Sequence, residues 1–159
     1  MKKQVLIIGG GAAGLTAAIW AARSGAAVTV LEHMDRVGKK ILSTGNGRCN
    51  LTNAKMDKSC YYCTEPDFPM EAIRQFGWKE TLRWFSSMGV LCKNRMETYY
   101  YPVSDQASSV LDALRLEIER LGVRVVMGCV PQKLSWEKKK GKTRFFVQSS
   151  QGNFSGDAL

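Results

Sequence analysis

Gly9-Gly10-Gly11-Ala12-Ala13-Gly14 sets glycines at 9, 11 and 14, the spacing G-x-G-x-x-G. A backbone that must reverse and then approach a diphosphate is hindered by a side chain at each of these places. Gly9 permits the tight turn, Gly11 lets the main chain reach phosphate oxygens, and Gly14 lets a following helix sit close to the preceding strand. The N–H groups of Ala12 and Ala13, in the first turn of that helix, face the anion together with the positive end of the helix dipole. Further along, Glu32 supplies a carboxylate that can accept hydrogen bonds from both hydroxyls of an adenosine ribose. It would also repel a 2′-phosphate. The chemistry these residues suit is capture of a dinucleotide, FAD or NAD in preference to NADP.

One strand–helix–strand unit must position them. Val5-Leu6-Ile7-Ile8 is a continuous apolar run, as expected of a parallel strand buried on both faces, and it leads straight into the glycines. An alanine-rich helix follows over about residues 12–24, with Ala18 keeping the close-packed face small and Gly25 ending it. Val28-Thr29-Val30-Leu31 forms a second strand with Glu32 at its carboxyl end. Glycine-rich loops alone are common; the ordered set of strand, glycines, helix, strand and acid is not.

The next segment separates the two cofactors. A plain NAD-dependent dehydrogenase would resume strand–helix alternation, whereas residues 37–53 are dense in glycine, asparagine and cations and carry no helical or strand period. Backbone donors, amides and cations of this kind suit a long cofactor. Gly38-Lys39-Lys40-Ile41-Leu42 and Thr44-Gly45-Asn46-Gly47-Arg48-Cys49-Asn50-Leu51-Thr52-Asn53 resemble the signature of a bacterial NAD(P)/FAD-dependent oxidoreductase flavoprotein family. That family is similar to glutathione reductase in its FAD-binding fold. It includes an aminoacetone oxidase, a bile-acid dienone reductase and a ribosomal-RNA dihydrouridine synthase. The resemblance continues through Tyr101-Pro102-Val103-Ser104-Asp105-Gln106-Ala107 to a strand ending near Val130.

The resemblance implies that Gly9, Gly11 and Gly14 line the pyrophosphate of FAD and that Glu32 holds the ribose. It places Lys39 and Lys40 on the adenine-ribose and phosphate side. It brings Asn46, Arg48, Cys49 and Asn50 to the ribityl chain and isoalloxazine, and the backbone of Val130 to the adenine. Cys49 has no second cysteine a few residues away, so a packing or polar-contact role is expected for it over thiol redox chemistry.

Downstream, two short helices are expected over residues 68–76 and 78–88, broken at Gly77, with Trp78 and Trp84 in the core. Residues 91–101 read as a strand or a hairpin arm. Val110, Leu111, Leu114, Ile118 and Leu121 mark an amphipathic helix over 104–121, ended by Gly122 and followed by a strand over 123–127. Extended pieces through Trp136, over 144–148 and from Phe154 onward suit a small antiparallel sheet. The run Lys138-Lys139-Lys140-Gly141-Lys142 is expected to be its solvated turn. The fold class is therefore α/β, a Rossmann-like FAD/NAD(P)-binding fold of three layers: parallel sheet, helices and small antiparallel sheet. By the resemblance, residues 1–159 are the N-terminal part of the FAD-binding domain. The same resemblance implies that the sheet is expected to be unfinished at Leu159, with the substrate domain and final FAD-binding segment outside residues 1–159.

Composition narrows the function classes. A 45% hydrophobic fraction is that of a globular chain, and no apolar run is long enough to span a membrane. The start resembles no export signal, so a cytoplasmic location is expected. The five cysteines are then expected to be free thiols, including Cys60 and Cys63, because no second C-x-x-C completes a zinc site. The net charge of +9 is spread as +4 over residues 1–80 and +5 over residues 81–159. The leading function is hydride transfer between NAD(P)H and an unsaturated or amine small-molecule substrate through FAD. Reduction of a uridine in ribosomal RNA is the alternative, motivated by the charge, and a non-catalytic fragment or binding module is the third. No catalytic residue is assigned; His33, the single histidine, is expected at the surface or the adenine edge. The residues set no oligomeric state.

Overall fold

The computed structural model describes residues 2–65, 67–139 and 141–159. Two compact units divide the chain, one of residues 1–40 with 114–159 and the other of residues 41–113.

In the first unit, β1 (Gln4–Ile8), β2 (Ala27–Leu31) and β6 (Arg124–Val126) form a parallel sheet in the order β1-β2-β6. Ile7 pairs with Val30 and Leu31 with Val126. Helix α1 (Ala12–Arg23) packs on β1 and β2 through Leu15, Ala18 and Ile19, all fully buried. It ends as the sequence predicts. Gly25 takes φ +88°, and the amides of Gly25 and Ala26 donate to the carbonyls of Ala22 and Ala21. Strands β7 (Pro131–Lys139), β8 (Lys142–Ser149) and β9 (Gly152–Gly156) form an antiparallel meander. Leu6, Leu31, Cys129 and Val147 close the core between this meander and the parallel sheet. Beyond β9, Ala158 bridges Val5 in parallel.

The second unit contains 3-10 turns within Ile41–Gly47, broken by a kink at Thr44, Gly45 and Asn46, and a sheet of β3 (Thr52–Asn53), β5 (Tyr99–Pro102) and β4 (Cys92–Arg95), in the order β3-β5-β4. It also contains α2 (Phe68–Gln75) and α3 (Trp78–Ser86), separated at Gly77 as expected. Trp84 is buried; Trp78 is half-buried and stacks on Tyr100 with ring centres 5.3 Å apart. Helix α4 (Ala107–Arg120) begins in this unit and finishes in the first, shorter at its start than the periodicity predicts. Its end follows the glycine rule: Gly122 has φ +67°, and Val123 donates to Ile118.

Three expectations need correction. Residues 37–53 are not without regular structure, because they contain the 3-10 turns and the two residues of β3. The lysine run is not simply a turn: Lys138, Lys139 and Lys142 are strand residues, with Lys138 opposite Thr143 and Lys139 opposite Lys142. Gln132 to Lys139 are all exposed, so the run is solvated as expected; Lys140 itself lies outside the described residues. The strand expected at 123–127 is three residues long and ends at Val126, four residues short of Val130.

Candidate cofactor site

The glycines of the first unit lack side chains for different reasons. Gly9 stands at φ +95°, a conformation in which a Cβ is strained, and its amide donates to Leu31 at 2.8 Å. A Cβ on Gly14 would lie 1.8 Å from the carbonyl oxygen of Gly9, so helix and strand could not approach as they do. Gly11 is different. Its φ is −77°, open to any residue, and a Cβ there would meet no atom within 4 Å. Neither backbone nor packing demands glycine at that position, and the open space lies at the mouth of α1. No side chain caps that helix and no acidic residue occupies its first turn, while Ala12 and Ala13 are exposed there. Undischarged N–H groups at a helix start are an anion site. These residues fit the diphosphate of a dinucleotide.

Glu32 is buried, 5% exposed, at the end of β2. Its Oε2 accepts from the Gly10 amide at 2.5 Å and its Oε1 from the Met34 amide at 2.8 Å. Each carboxylate oxygen has a second lone pair, so a ribose hydroxyl can still be accepted while these bonds fix the carboxylate. His33 is exposed and its Nδ1 lies 3.0 Å from Glu32 Oε1. Half-buried Lys39 pairs with exposed Asp35 at 2.9 Å, and Lys40 is at the surface. The Cys129 amide donates to the Glu32 carbonyl and the Gly128 amide to the Met34 carbonyl, carrying the chain past the end of β6 alongside Glu32. Val130 follows with its side chain half out of the protein. Its amide donates to Ser150 Oγ and its carbonyl accepts from the Ser150 amide, both at 3.0 Å.

Gly10 is the residue sequence reasoning passed over. Its Cβ would fall 2.5 Å from Val37 Cγ1 and 3.0 Å from Glu32 Oε2; its carbonyl accepts from Gly38 at 2.8 Å. The clue was a third glycine inside a motif that needs only two at that point.

In the second unit, the loop that carries Asn46, Arg48, Cys49 and Asn50 winds through the left-handed region. Gly45, Asn46, Gly47 and Cys49 have φ of 55°, 53°, 80° and 59°. Glycine and asparagine adopt this conformation at least cost, which accounts for the composition of the segment. A Cβ on Gly45 would strike the Asn50 amide at 2.8 Å. Asn46 and Asn50 are exposed, Arg48 is half-buried and Cys49 is buried. Burial pushes the Cys49 thiol above its ordinary value, against a smaller opposing effect of a hydrogen bond with Thr44. Cys92 is raised chiefly by burial and also by the nearby Cys49, a proximity that spacing in sequence does not reveal. All five cysteines are free. Cys60 and Cys63 are exposed, and among the described residues no group of three His, Cys, Asp or Glu could hold a metal ion. Among them, too, no helix is long and apolar enough to cross a membrane.

The HI0933-like protein Rossmann domain matches residues 3–159. The chain belongs to this family. The family indicated by the Gly38–Asn53 residues, with its FAD-binding Rossmann domain, is thus the family found. Over 158 residues the chain is 50% identical to the 3-dehydro-bile acid delta(4,6)-reductase of Clostridium scindens, covering 98% of this chain and 37% of that protein. It is 27% identical over 143 residues to the ribosomal RNA dihydrouridine synthase of Haemophilus influenzae, covering 90% of this chain and 35% of that one. The chain therefore spans little more than a third of the length of these curated relatives. Two solved structures share the fold. The 3-ketosteroid-delta4-(5alpha)-dehydrogenase of Rhodococcus jostii RHA1 matches with a TM-score of 0.65 at 18% identity, covering 97% of this chain and 43% of that one. A flavocytochrome c3 fumarate reductase matches with a TM-score of 0.62 at 18% identity, covering 99% and 32%.

Proposed function

We propose that this chain holds FAD for an oxidoreductase that transfers hydride between NAD(P)H and an unsaturated or amine substrate. The observation that carries the cofactor is Gly11: a glycine that neither φ nor packing requires, at the uncapped start of α1. In this reading Gly9, Gly11, Ala12, Ala13 and Gly14 take the pyrophosphate through backbone amides. Glu32 takes the ribose hydroxyls, and Lys39 and Lys40 lie on the adenine-ribose and phosphate side. The backbone of Val130 stands at the adenine; its committed amide leaves a carbonyl lone pair for that contact. Asn46, Arg48, Cys49 and Asn50 serve the ribityl chain and isoalloxazine. When bound, FAD supplies the hydride chemistry. The chain's own residues bind and orient it.

The name of the Clostridium scindens relative supports an unsaturated substrate over an amine. Reduction of a uridine in RNA is supported more weakly, by the net charge of +9 and the 27% identical synthase. The test is an absorption spectrum of the purified protein, followed by addition of NADPH. A bound-flavin spectrum bleached by NADPH is expected. A colourless protein that FAD does not stabilise would refute the reading in favour of a non-catalytic module. Bleaching that is re-oxidised by a uridine-containing ribosomal RNA and not by an unsaturated steroid would move the assignment to the RNA reaction.

A further inference from the structure

Within the second unit, Arg48 is part of a stack. Its guanidinium carbon lies 5.9 Å from the centre of the Tyr101 ring, and its Nε reaches the Gly45 carbonyl at 3.4 Å. The edge of the same ring lies 3.2 Å from where a Cβ of Gly45 would stand. One tyrosine ring thus lies beside both Gly45 and Arg48 of the loop. The guanidinium of Arg95 stands over that ring as well, at 5.9 Å. Arg95 donates to Asp105 Oδ2 at 2.7 Å, and Lys93 donates to the same oxygen at 2.5 Å. Asp105 itself is held at φ 56°, and Met96 and Glu97, directly after Arg95, also have positive φ.

The charges do not balance within this group. Asp105 pairs with both Arg95 and Lys93, one carboxylate for two cations, whereas Arg48 has no carboxylate partner among the described residues. A long, half-buried arginine with no acid to anchor it is costly to keep in one rotamer. An aromatic face beneath the guanidinium holds it without neutralising it.

We propose that Tyr101 is a positioning residue: it keeps the uncompensated charge of Arg48 fixed for the flavin, and Arg95 with Asp105 braces the ring. This rests on the reading that Arg48 lies at the isoalloxazine. A fixed cation there favours the more negative, reduced flavin, so the flavin's reduction potential reports its placement.

The experiment measures that potential and the FAD dissociation constant in the FAD-loaded protein. Tyr101→Leu removes the face and is expected to weaken the reduced form against the oxidised form about tenfold, a fall of about 30 mV for a two-electron couple. Tyr101→Phe keeps the face and should restore the wild-type potential. Asp105→Asn removes the brace while asparagine still tolerates the left-handed backbone; loss of the carboxylate charge alone would raise the potential, so the fall expected here, smaller than for Tyr101→Leu, reports the loosening of Arg48. In an Arg48→Leu background, Tyr101→Leu should add no further shift, an outcome that general loosening would not give. An unshifted Tyr101→Leu potential overturns the proposal, as does a Tyr101→Phe shift equal to that of leucine. Should Tyr101→Leu fail to fold, an unshifted or raised Asp105→Asn potential overturns it. A wild-type protein that takes up no FAD refutes the flavin reading beneath it instead.

Discussion

Gly11→Ala and Gly14→Ala add the same methyl group to neighbouring parts of one motif, and they should fail in opposite ways. At Gly14 the new Cβ would sit 1.8 Å from the Gly9 carbonyl oxygen, itself in a turn fixed by a bond from Gly9 to Leu31. An ordinary carbon–oxygen contact needs roughly 3.4 Å, so α1 must withdraw from β1 by about 1.5 Å. Forced overpacking of this kind costs about 1–3 kcal/mol, and both partners are backbone, which puts the cost at the upper end. Alanine's better helix propensity returns about 1 kcal/mol. The net effect without cofactor is a loss of about 1–2 kcal/mol. At Gly11 the φ of −77° and the empty surroundings make alanine compatible, so stability without FAD should hold or rise by about 0.4–1 kcal/mol. The methyl then stands where the diphosphate must approach, and FAD affinity should drop tenfold or more, about 1.4 kcal/mol. Urea unfolding without FAD and titration of FAD fluorescence separate the two effects. The reasoning fails if Gly11→Ala destabilises the FAD-free protein as much as Gly14→Ala does, or if it binds FAD like the wild type.

Glu32→Gln should cost about 1–3 kcal/mol even without FAD, because an amide NH2 is turned toward one of two backbone donors that the carboxylate now accepts; urea unfolding of the variant checks this, and an unchanged midpoint contradicts it. Glu117, buried on α4, is held down at about 2 by hydrogen bonds from Arg120 and then Arg23. Its folded value lies below its ordinary 4.5, so its stabilisation is present above about pH 5 and is lost as pH falls toward 2. With Arg120 largely exposed, the contribution is about 1–2 kcal/mol, and Glu117→Gln should flatten the acid limb of a stability–pH profile by that amount. Thiol labelling at pH 8 should modify the exposed Cys60 and Cys63 before the buried Cys49, whose burial keeps it protonated; mass spectrometry that finds Cys49 labelled first contradicts the packing role.

Local rules made the first forty residues legible. An apolar run, spaced glycines and a terminal acid each have one dominant physical reason, and the structure places strand, helix and strand within a residue or so of those reasons. The second unit was harder to read because its turns lack the usual residues. The loop Met96–Thr98 joins β4 to β5 with Met96 and Glu97 in the left-handed region, where a sequence reader expects glycine or asparagine. A hairpin built on Met-Glu leaves no mark in composition, so residues 91–101 could be read either as one strand or as an arm. Cys92 near Cys49 and Arg95 over Tyr101 are long-range neighbours for the same reason: they depend on that hairpin folding back. The segment from Gly45 to Asn50 carries the family resemblance, yet its left-handed winding is a conformation with no periodic signature.

Gly10 shows why the glycine loop and Glu32 form one connected unit. Its amide ends on Glu32 Oε2, its carbonyl receives Gly38, and its α-carbon packs against Val37 with no room for a side chain. The loop that carries Gly9 and Gly11 is therefore pinned at its midpoint by the same carboxylate that is proposed to hold the sugar. A change at Glu32 should reach the phosphate side through this single bond, and a side chain at Gly10 should displace the acid as well as the loop. Since diphosphate and ribose are joined in one ligand, the pinning sets the spacing between their two sites before any ligand arrives. Preorganisation of this kind lowers the ordering cost of binding. It also explains why a motif that needs glycine at 9, 11 and 14 carries a fourth between them.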